Sequence, residues 1–562
     1  MVTMYQRQLA RQGPQQRLED SELPDSEAPL ALLTPVEPVD EPVVRLDIQI
    51  DPNTGERFVR LTVEEAIART LANSPEIRVV SFDPEIARYA VTQATADFDP
   101  TAFSRFNYEE QDSPQNSIFE PGRAETRMFE SGVRQRSVLG SEWSASYALA
   151  RVWDDLFGRT FPTRYEPVLI FELRQPLLRD AWEQVNLAGV NVARLNYEAA
   201  LLGFREKAEE VSAGVIAAYW RLAQARRDLA IQRALLDQTL ESLHKVEGRR
   251  DIDATDVQIK QAEAYVKSRE AMLLEMRKRV TDVQDLLTRL MADPQINLTS
   301  DVSIVPAAEP QAPEELPELA LVSESALALA VQRNPSIERA RFGVEVAQIN
   351  LAVAKNQKMP RLDLVGSVRS RGLAENSRDA HDQLEGWDYT SYGVGLTLEY
   401  PLGNRQRHAE WMRRQMEKRK AISVLHSTAD EVAAAVKERM RQVRTSYEEI
   451  QVQRAAVEAA RVHLETLEES EEVRDRLTPE FLLVKLQAQE TYAQAQRAEV
   501  AAVVGLKIAS AQLAQVTGTV LDLREIDLSL SSIVDTSVEV DRPPTEVKPP
   551  SIPEILRQSP SF

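Results

Sequence analysis

The segment from Ala208 to Val246 carries the pattern that most constrains the fold of this chain. Its apolar positions recur at alternating spacings of three and four residues, and ten of the twelve positions are apolar, the exceptions being Gln232 and Thr239. This spacing is the heptad repeat of a coiled-coil seam. Extended back to about Glu183, the helix has roughly 65 residues and a length of about 98 Å. A compact globule does not contain such a helix, so an elongated body is predicted.

A second heptad run follows a short polar turn at residues 249–255. It extends from Ile259 to Leu290 and contains one polar exception, Arg269. The two runs predict an antiparallel helical hairpin. A second long helix starts near residue 405, turns at the segment RDRLTPE (474–480) and returns to about Thr517. The chain therefore has two predicted hairpins.

The chain is internally duplicated. Residues 321–360 align without a gap to residues 61–100, with 11 identities in 40 positions. Both copies predict a leading helix that is interrupted by a proline, Pro75 or Pro335, and that ends at another, Pro100 or Pro360. In the first copy, Thr62 and Glu65 have the spacing of a capping box. A single duplication of this length indicates two structural halves rather than a solenoid.

Segments of alternating polarity follow each leading helix. They lie near residues 104–108, 143–149 and 168–173 in the first half and near 362–368 and 394–400 in the second. Alternation predicts half-buried strands, and residues 111–126 between the first two are predicted to be a loop. An added hairpin near Met128–Trp153 in the first half either enlarges the sheet or lies outside it. The aromatic residues here form an interfacial girdle or pack internally: Phe103, Phe106, Tyr108, Trp143, Tyr147, Tyr389, Tyr392 and Tyr400.

The helix lengths predict how the hairpins and the leading helices are arranged. In each half, the returning helix and the leading helix together are about as long as the long helix, roughly 73 residues against 65 and roughly 75 against 68. Two short helices stacked end to end therefore match one long helix. The predicted body is a wall of helices about 100 Å tall with the strands at one end.

Composition divides the chain into five segments. Residues 1–60 are a proline-rich acidic arm predicted to be disordered, 61–300 are the first repeat and 301–320 are a proline-rich linker. The second repeat covers 321–525, and the proline-rich tail covers 526–562.

Charge and residue usage exclude several classes of function. The net charge of −21 makes nucleic acid an unfavourable partner. The chain has no cysteine, and its five histidines lack the spacing of a metal site. No catalytic residue, cofactor site or metal site is predicted, and the chain is not expected to be an enzyme.

The membrane signals in the sequence favour strands over helices. No run approaches the 18 or more apolar residues of a transmembrane helix, so any membrane-spanning part would consist of strands. The segment MVTMYQRQLARQGPQQR has no hydrophobic signal-peptide core. The sequence therefore predicts either a cytosolic protein or a precursor whose true N-terminus is not this one.

Several of these features occur together in one known family. The duplicated leading helix, the proline before each strand set, the strand-end segments QPLL and YPLG, the segment SAGVIAAYWRLAQAR (212–226) and the two hairpin tips resemble the TolC family of outer-membrane efflux and type I secretion channels. The resemblance covers about residues 61–525. It implies a mainly α protein with β strands, in which long coiled-coil hairpins form an α-barrel in the periplasm. Strands from three identical chains would form one transmembrane β-barrel in the outer membrane.

The resemblance also implies partners and site residues. A periplasmic adaptor protein would dock at the hairpin tips and connect the duct to an inner-membrane pump. The residues implied to border the docking grooves are Thr255, Asp256, Val257, Leu477, Thr478, Glu480, Phe481 and Leu482. At the first tip, Asp253 or Thr255 is predicted to cap the returning helix, and at the second tip Thr478 does so.

The closed aperture of the family is less directly represented here. Family members ring this aperture with inward carboxylates, but the corresponding residues are Val484 and Gln487. The substitutes that this sequence offers are the nearby acids Glu468, Glu469, Glu471 and Glu472. The polar seam positions Gln232 and Thr239 lie toward the tip, where the wall is predicted to loosen on opening.

Two functions from different classes follow from the sequence. The first is a passive outer-membrane exit duct of a tripartite efflux or type I secretion system. The second is a soluble coiled-coil scaffold in the periplasm or cytosol, without membrane insertion.

Overall fold

The computed structural model describes residues 47–522, except 51, 53, 54, 56, 115–119, 159, 253, 297, 299–301, 314–321 and 474–477. For residues 472 and 473 only the backbone is described. Most of the predicted arm, the predicted tail, Asp253 and Leu477 therefore lie outside the described residues.

The leading helices break at the predicted prolines. Helix α1 (Val63–Asn73) is followed by α2 (Pro75–Thr95), and in the second half α5 (Ser323–Arg333) is followed by α6 (Pro335–Gln357). The capping box at Thr62 is confirmed: its Oγ1 accepts from the Glu65 N–H at 3.2 Å, and Glu65 Oε2 accepts from the Thr62 N–H at 2.9 Å. At the second break, Asn334 Oδ1 accepts from the Ser336 N–H at 3.0 Å. Proline at the first helical position suits both restarts, because it has no N–H to leave unpaired there.

The two predicted helical hairpins are confirmed. The first pairs α3 (Ala188–Gly248) with α4 (Asp256–Met291), and the second pairs α8 (Arg405–Val473) with α9 (Pro479–Thr517). Helix α3 begins slightly later than predicted, after a separate helical turn at Glu183–Asn186. Of its twelve heptad seam positions ten are buried, including Gln232 and Thr239, and the other two are half-buried. The seam is therefore the packed face of the helix.

Each returning helix ends near the break of a leading helix, in agreement with the predicted end-to-end arrangement. Asp293 follows α4 and accepts a hydrogen bond from Arg69 Nη1 of α1 at 2.6 Å. Asn334 Nδ2 donates to the carbonyl oxygen of Val516, at the end of α9, at 2.8 Å. Gly518, which follows α9, has φ +71°, and a Cβ there would lie 2.6 Å from the Arg333 carbonyl oxygen. Only glycine combines that backbone with so close an approach.

A small sheet corrects two of the predicted boundaries. Strand β1 (Ile48–Ile50) pairs antiparallel with β2 (Arg57–Leu61), and β2 pairs in parallel with β7 (Val302–Pro306). The prediction that residues 48–50 and 57–60 belong to a disordered arm and residues 302–306 to a linker is therefore wrong. The reason is that β2 and β7 are separated by the whole first hairpin, so local composition carries no sign of their pairing.

A larger sheet contains six antiparallel strands in the order β3-β4-β5-β6-β8-β9. The first half supplies β3 (Thr101–Asp112), β4 (Arg123–Arg136), β5 (Glu142–Asp154) and β6 (Thr163–Pro176). The second half supplies β8 (Arg361–Arg371) and β9 (Tyr389–Glu399), with the short helix α7 (Ser377–Glu385) between them. The predicted loop at 111–126 is shorter, because β3 extends to Asp112 and β4 begins at Arg123. The hairpin near Met128–Trp153 lies inside the sheet as β4 and β5.

Helix α9 is long and apolar enough to cross a membrane by length and composition alone. Half of its most apolar window is buried inside the protein. Val503, Leu506 and Leu513 pack there against Val436 and Met440 of α8. This burial is that of a core helix in a packed hairpin.

Candidate functional site

The strand register divides the six-stranded sheet into an apolar face and a polar face. Phe106, Phe129 and Leu149 stand opposite one another on neighbouring strands and so share a face. The apolar face also carries Ala102, Val133, Trp143, Ala145, Tyr147, Leu169, Phe171, Leu173, Leu364, Val368, Tyr392, Val394, Leu396 and Leu398. The charged residues on this face lie toward the strand ends farthest from the long helices: Glu110, Asp112, Arg123, Glu125, Arg127 and Arg151.

Ion pairs link the strands across the polar face. Arg174 of β6 contacts Asp363 of β8 at 2.8 Å and Glu142 of β5 at 3.1 Å. Arg361 contacts the same Asp363 at 2.8 Å and Glu399 of β9 at 3.6 Å. The five side chains form a network that crosses four strands. Such a charged face suits a water-filled interior, whereas the opposite face suits lipid.

The strand register also shows on which face of the sheet each residue of the predicted aromatic girdle lies. Phe106, Tyr108, Trp143, Tyr147 and Tyr392 lie on the apolar face, where an interfacial girdle requires them. Two others are corrected, because Phe103 and Tyr389 lie on the polar face. Tyr400 follows the end of β9.

Helix α7 covers part of the apolar face. His381 Nε2 lies 2.5 Å from the hydroxyl of Tyr147, and His381 Nδ1 lies 2.6 Å from the carbonyl oxygen of Ser377. A Cβ at Gly372 would lie 1.8 Å from the carbonyl oxygen of Ala380, so the backbone approach there requires glycine. The connection between β8 and β9 is thus fixed against the outer surface of the sheet.

The first hairpin tip is capped at Thr255, one of the two predicted positions. The Thr255 Oγ1 accepts from the Gln258 N–H at 3.4 Å, and Gln258 Oε1 accepts from the Thr255 N–H at 2.6 Å. Asp256 is exposed and pairs with Arg250 at 3.1 Å. Val257 is 73% exposed, and Ile252, which the sequence analysis did not single out, is 76% exposed. The tip therefore presents two isolated apolar side chains to its surroundings.

The second hairpin tip is capped at Thr478, as predicted. Its Oγ1 accepts from the Phe481 N–H at 3.3 Å, with Pro479 at the first helical position and Glu480 exposed beside it. Phe481 and Leu482 are buried. Leu482 packs in a cluster with Leu243 and Ile259 of the first hairpin. The two tips are therefore joined through an apolar core, and these two residues support the tip surface from beneath.

A buried arginine binds three helices together above this core. Arg269 of α4 is 3% exposed, and its Nη2 donates to the Leu486 carbonyl oxygen of α9 at 2.9 Å. Its Nη1 lies 3.4 Å from the Leu235 carbonyl oxygen of α3 and 3.4 Å from Gln489 Oε1. Burial lowers the pKa of Arg269, against the opposing effect of Glu490. Gln232, one of the polar seam residues, contacts the Arg269 carbonyl oxygen through its Nε2 at 3.5 Å.

The four candidate aperture acids differ in their surroundings. Glu468 and Glu469 are exposed on α8. Glu471 forms an ion pair with Lys485 of α9, which is 3% exposed. The side chain of Glu472 lies outside the described residues. Glu471 is thus engaged within its own hairpin, and Glu468 and Glu469 are the accessible acids.

A second buried polar group lies near the ends of the returning helices. Glu209 of α3 is 2% exposed, and Arg205 Nε donates to it at 3.2 Å. Burial raises the pKa of Glu209 to about 7, and the hydrogen bond from Arg205 only partly opposes this effect. Arg205 also approaches Asp522, which pairs with Arg333 of α5. This cluster connects the two repeats.

The sequence analysis missed most of these buried contacts. Arg269 was visible as the one polar residue in a heptad run, and that interruption is the signal that could have identified it. Lys485 and Gln489 had no such signal, because their partners lie on other helices.

Part of the chain matches a known protein family. Residues 326–519 match the family model described as outer membrane efflux protein. The match lies within the second repeat of this chain, from α5 to the end of α9. The match confirms the resemblance to TolC-family outer-membrane efflux proteins, which are transport channels and not enzymes. None of the curated proteins matches the sequence.

Solved structures share the fold at low sequence identity. The outer membrane protein VceC of Vibrio cholerae matches with a TM-score of 0.57 and 17% identity, over 81% of this chain and 96% of VceC. The CmeC outer membrane channel of Campylobacter jejuni matches with a TM-score of 0.57 and 12% identity, over 82% of this chain and 86% of CmeC. The MtrE outer membrane channel of Neisseria gonorrhoeae, solved in its open state, matches with a TM-score of 0.58 and 15% identity, over 82% of this chain and 89% of MtrE. The hairpins and the sheet of this chain therefore share the fold of these solved outer-membrane proteins.

Proposed function

We propose that this chain is one protomer of a homotrimeric exit duct in the outer membrane, through which cargo passes passively from the periplasm to the exterior. The observation that carries the proposal is the six-stranded sheet with one apolar and one polar face. In a membrane, the apolar face contacts outer-membrane lipid and the polar face lines water.

The edges of the sheet support a closed assembly. Strands β3 and β9 have a neighbour on one side only, and nearly all of their residues are exposed. Unpaired backbone groups in lipid cost several kcal/mol each, so an open sheet is not stable there. Further copies of the chain close it into a barrel, and the family resemblance makes that number three.

The helical hairpins form the periplasmic part of the duct. The two tandem repeats, residues 61–300 and 321–525, each supply one hairpin and one stacked leading helix. Because α3 and α8 each continue directly from a strand of the sheet, the hairpins extend from one end of the barrel as an α-barrel. Their heptad seams hold this wall together.

The hairpin tips are the proposed docking surface for a periplasmic adaptor that leads to an inner-membrane pump. The accessible residues among those implied by the family are Thr255, Asp256, Val257, Thr478 and Glu480. Phe481 and Leu482 act from beneath by holding the tips together. Leu477 belongs to the same proposal. Glu468 and Glu469 are proposed as acids near the aperture, with Glu471 and Glu472 beside them.

The identity of the cargo is determined by the inner-membrane pump and not by this chain. The family resemblance favours efflux as the transport process. Export of polypeptides through a type I secretion system is the alternative, and it would use the same passive passage through the duct. The duct itself provides a passage, and selection belongs to the pump.

Fractionation of cells that produce the full chain tests the proposal. We expect recovery in the outer membrane and a trimer that resists SDS until it is heated. Recovery in the soluble fraction, without any trimeric species in detergent, would instead support the coiled-coil scaffold.

Crosslinking tests the docking surface. A photoreactive residue at Asp256 or Glu480 should capture the adaptor, whereas one at Glu109, on the polar face of β3, serves as the control. Crosslinks to the adaptor only from Glu109 would overturn the assignment of the tips.

A further inference from the structure

The two repeats contribute unequally to the large sheet. The second repeat supplies two strands, β8 and β9, whereas the first supplies four. The hairpin β4–β5 is the part of the first repeat that has no counterpart in the second. It does not lie beside the sheet: β4 pairs along its length with β3, and β5 pairs along its length with β6.

The hairpin has the same two faces as the rest of the sheet. Phe129, Val133 and Leu149 continue the apolar face. On the polar face its two strands carry small residues, including Gly132, Ser144, Ser146 and Ala148. A Cβ at Gly132 would lie 2.7 Å from Ser146 Cβ, which shows how closely the strands approach on that side. The sequence of the hairpin therefore fits a wall between lipid and water.

The turn of the hairpin is fixed to the start of the long helix. The Trp182 N–H donates to the Leu139 carbonyl oxygen at 3.2 Å, and Arg136 Nη2 lies 2.7 Å from Asn186 Oδ1. Gly140 has φ +86°, and a Cβ there would lie 2.4 Å from the Asp180 carbonyl oxygen. The hairpin is thus held at both its strands and its turn.

The register gives the tilt of the strands. Thr101 and Arg361 occupy equivalent positions in the two repeats, each directly after the proline that precedes its strand. The ladder from Thr101 passes through Arg134, Ser144 and Glu172 and reaches Ser367, six residues beyond Arg361. Six residues correspond to a displacement of about 20 Å along the strand, and the distance across the sheet from β3 to β8 is about 19 Å. Together these distances correspond to strands tilted by about 45° from the barrel axis. Transmembrane barrels have tilts of about this size.

The six strands and the four helices that join them have comparable widths. Helices α2, α3, α6 and α8 join the strands and pack side by side in that order. At spacings of up to about 10 Å, four helices occupy up to about 40 Å. Six strands at a tilt of about 45° occupy about 41 Å, whereas four strands occupy about 27 Å.

We infer that the pore is an eighteen-stranded antiparallel barrel, formed by six strands from each of three chains, in which the hairpin β4–β5 is part of the wall. The inference rests on the proposed function. Strand β9 of one copy pairs with β3 of the next, and since β3 runs away from the helices and β9 toward them, the pairing is antiparallel. The barrel is about 39 Å in diameter, against about 26 Å for twelve strands, and accordingly admits larger polar solutes.

Paired cysteines test the wall directly, because the chain has no cysteine of its own. One variant combines Ser104→Cys with Ser131→Cys, which face each other between β3 and β4. Another combines Ala148→Cys with Val168→Cys, which face each other between β5 and β6. The control combines Ser104→Cys with Leu169→Cys, which lie on the same face of the sheet but on strands that the hairpin separates.

In the heat-sensitive trimer isolated from membranes, we expect disulfides in the first two variants and none in the control. A disulfide in the control without one between Ser104→Cys and Ser131→Cys would show that the hairpin has left the wall. That result overturns this inference but leaves the exit duct intact, because the trimer still forms. Absence of any membrane trimer would overturn the proposed function as well.

Deletion of residues 123–154 provides a second measurement. The deletion joins β3 to β6 through their remaining loops and leaves four strands per chain. Electron microscopy of the full chain should show a barrel about 1.5-fold wider than that of the deletion variant. Equal widths would overturn the inference, and the cysteine pairs decide it if the deletion variant does not fold.

Discussion

The buried polar side chains of this protein act as contacts between helices. Arg269 and Glu209 are almost wholly buried. Arg269 contacts two other helices, and Glu209 is bonded to Arg205, which also approaches Asp522. Leaving a buried polar group without its partner costs free energy, so each group fixes the relative position of the elements around it. Arg269 interrupts an apolar seam, where a single change has a large effect.

At Glu209 we predict stability that depends on pH. The folded state keeps the proton of this carboxyl up to about pH 7, whereas the unfolded chain loses it near pH 4.5. The folded state therefore binds more protons between these values, and the free energy of unfolding falls as pH rises through this window. The loss is up to about 3 kcal/mol. Thermal unfolding of the full chain at pH 5 and pH 8 measures it.

The Glu209→Gln variant is the matched test of this pH dependence. It keeps a hydrogen-bond acceptor for Arg205 but does not titrate, so its unfolding midpoint should change less between pH 5 and pH 8 than that of the unaltered chain. An equal change in both proteins would assign the dependence to another group.

At Arg269 we predict that truncation loosens the tip half of the protein. Arg269→Ala removes the contacts to the carbonyl oxygens of Leu235 and Leu486 and leaves a cavity among three helices. The loss of stability should be about 3 kcal/mol. Limited proteolysis near the tips should become faster. Arg277→Ala, an exposed change on the same helix, is the control and should leave the proteolysis rate unchanged.

Among the elements, the helical hairpins and the sheet are held by different means. The hairpins rest on continuous apolar seams and on capped tips, whereas the sheet rests on long ladders that connect the two repeats. The ladder between β6 and β8 is the direct link, since it joins the last strand of the first repeat to the first strand of the second. The repeats are thus one structural unit at the sheet.

For the capped tips we predict local fraying when either cap is removed. Thr255→Ala and Thr478→Ala each remove a side-chain acceptor for a backbone N–H in the first turn. Each should cost about 1 kcal/mol, mostly within the first turns of the returning helix. Hydrogen exchange at residues 256–262 and 479–485 measures the effect.

Thr281→Ala is the control for the caps, because Thr281 lies within α4 and its hydroxyl bonds only to the carbonyl oxygen one turn earlier. Faster exchange in this variant at the tips would contradict a local role for the caps.

For the whole molecule, the two faces of the sheet determine which environment it can enter. The apolar face is stable against lipid, and the polar face is stable against water. A sheet with these two faces is therefore unstable when both faces contact water. The long helices, whose exposed residues are largely polar, suit an aqueous compartment. In the proposed duct, the sheet is the membrane-spanning part and the long helices extend into the periplasm.

Adjacent residues of β9 allow the orientation of the sheet to be tested. Leu396 lies on the apolar face and Thr397 on the polar face, where it stands opposite Asp363. Leu396→Arg places a charge toward lipid and should cost about 2–4 kcal/mol near the middle of the bilayer. Thr397→Arg should be tolerated. The yield of membrane trimer measures both, and equal yields would contradict the assignment of the faces.

The sequence determined the features that depend on local patterns. Heptad spacing predicted the helices α3 and α8, the prolines predicted where the leading helices break, and the capping residues Thr62 and Thr478 were visible from their spacing. The internal duplication predicted two equivalent halves and, with the tip and strand-end motifs, the family. These features are readable because they repeat at the period of a single helix or strand.

Only the tertiary structure decided what depends on partners far apart in the chain. It paired β2 with β7, included the hairpin β4–β5 in the sheet and placed Phe103 on the polar face. It also buried Phe481 and Leu482, which the family pattern had suggested as docking residues, and joined Arg269 to α9. The physical reason is that strand register and helix packing are set by contacts between segments, and no local period encodes which segment supplies the other side.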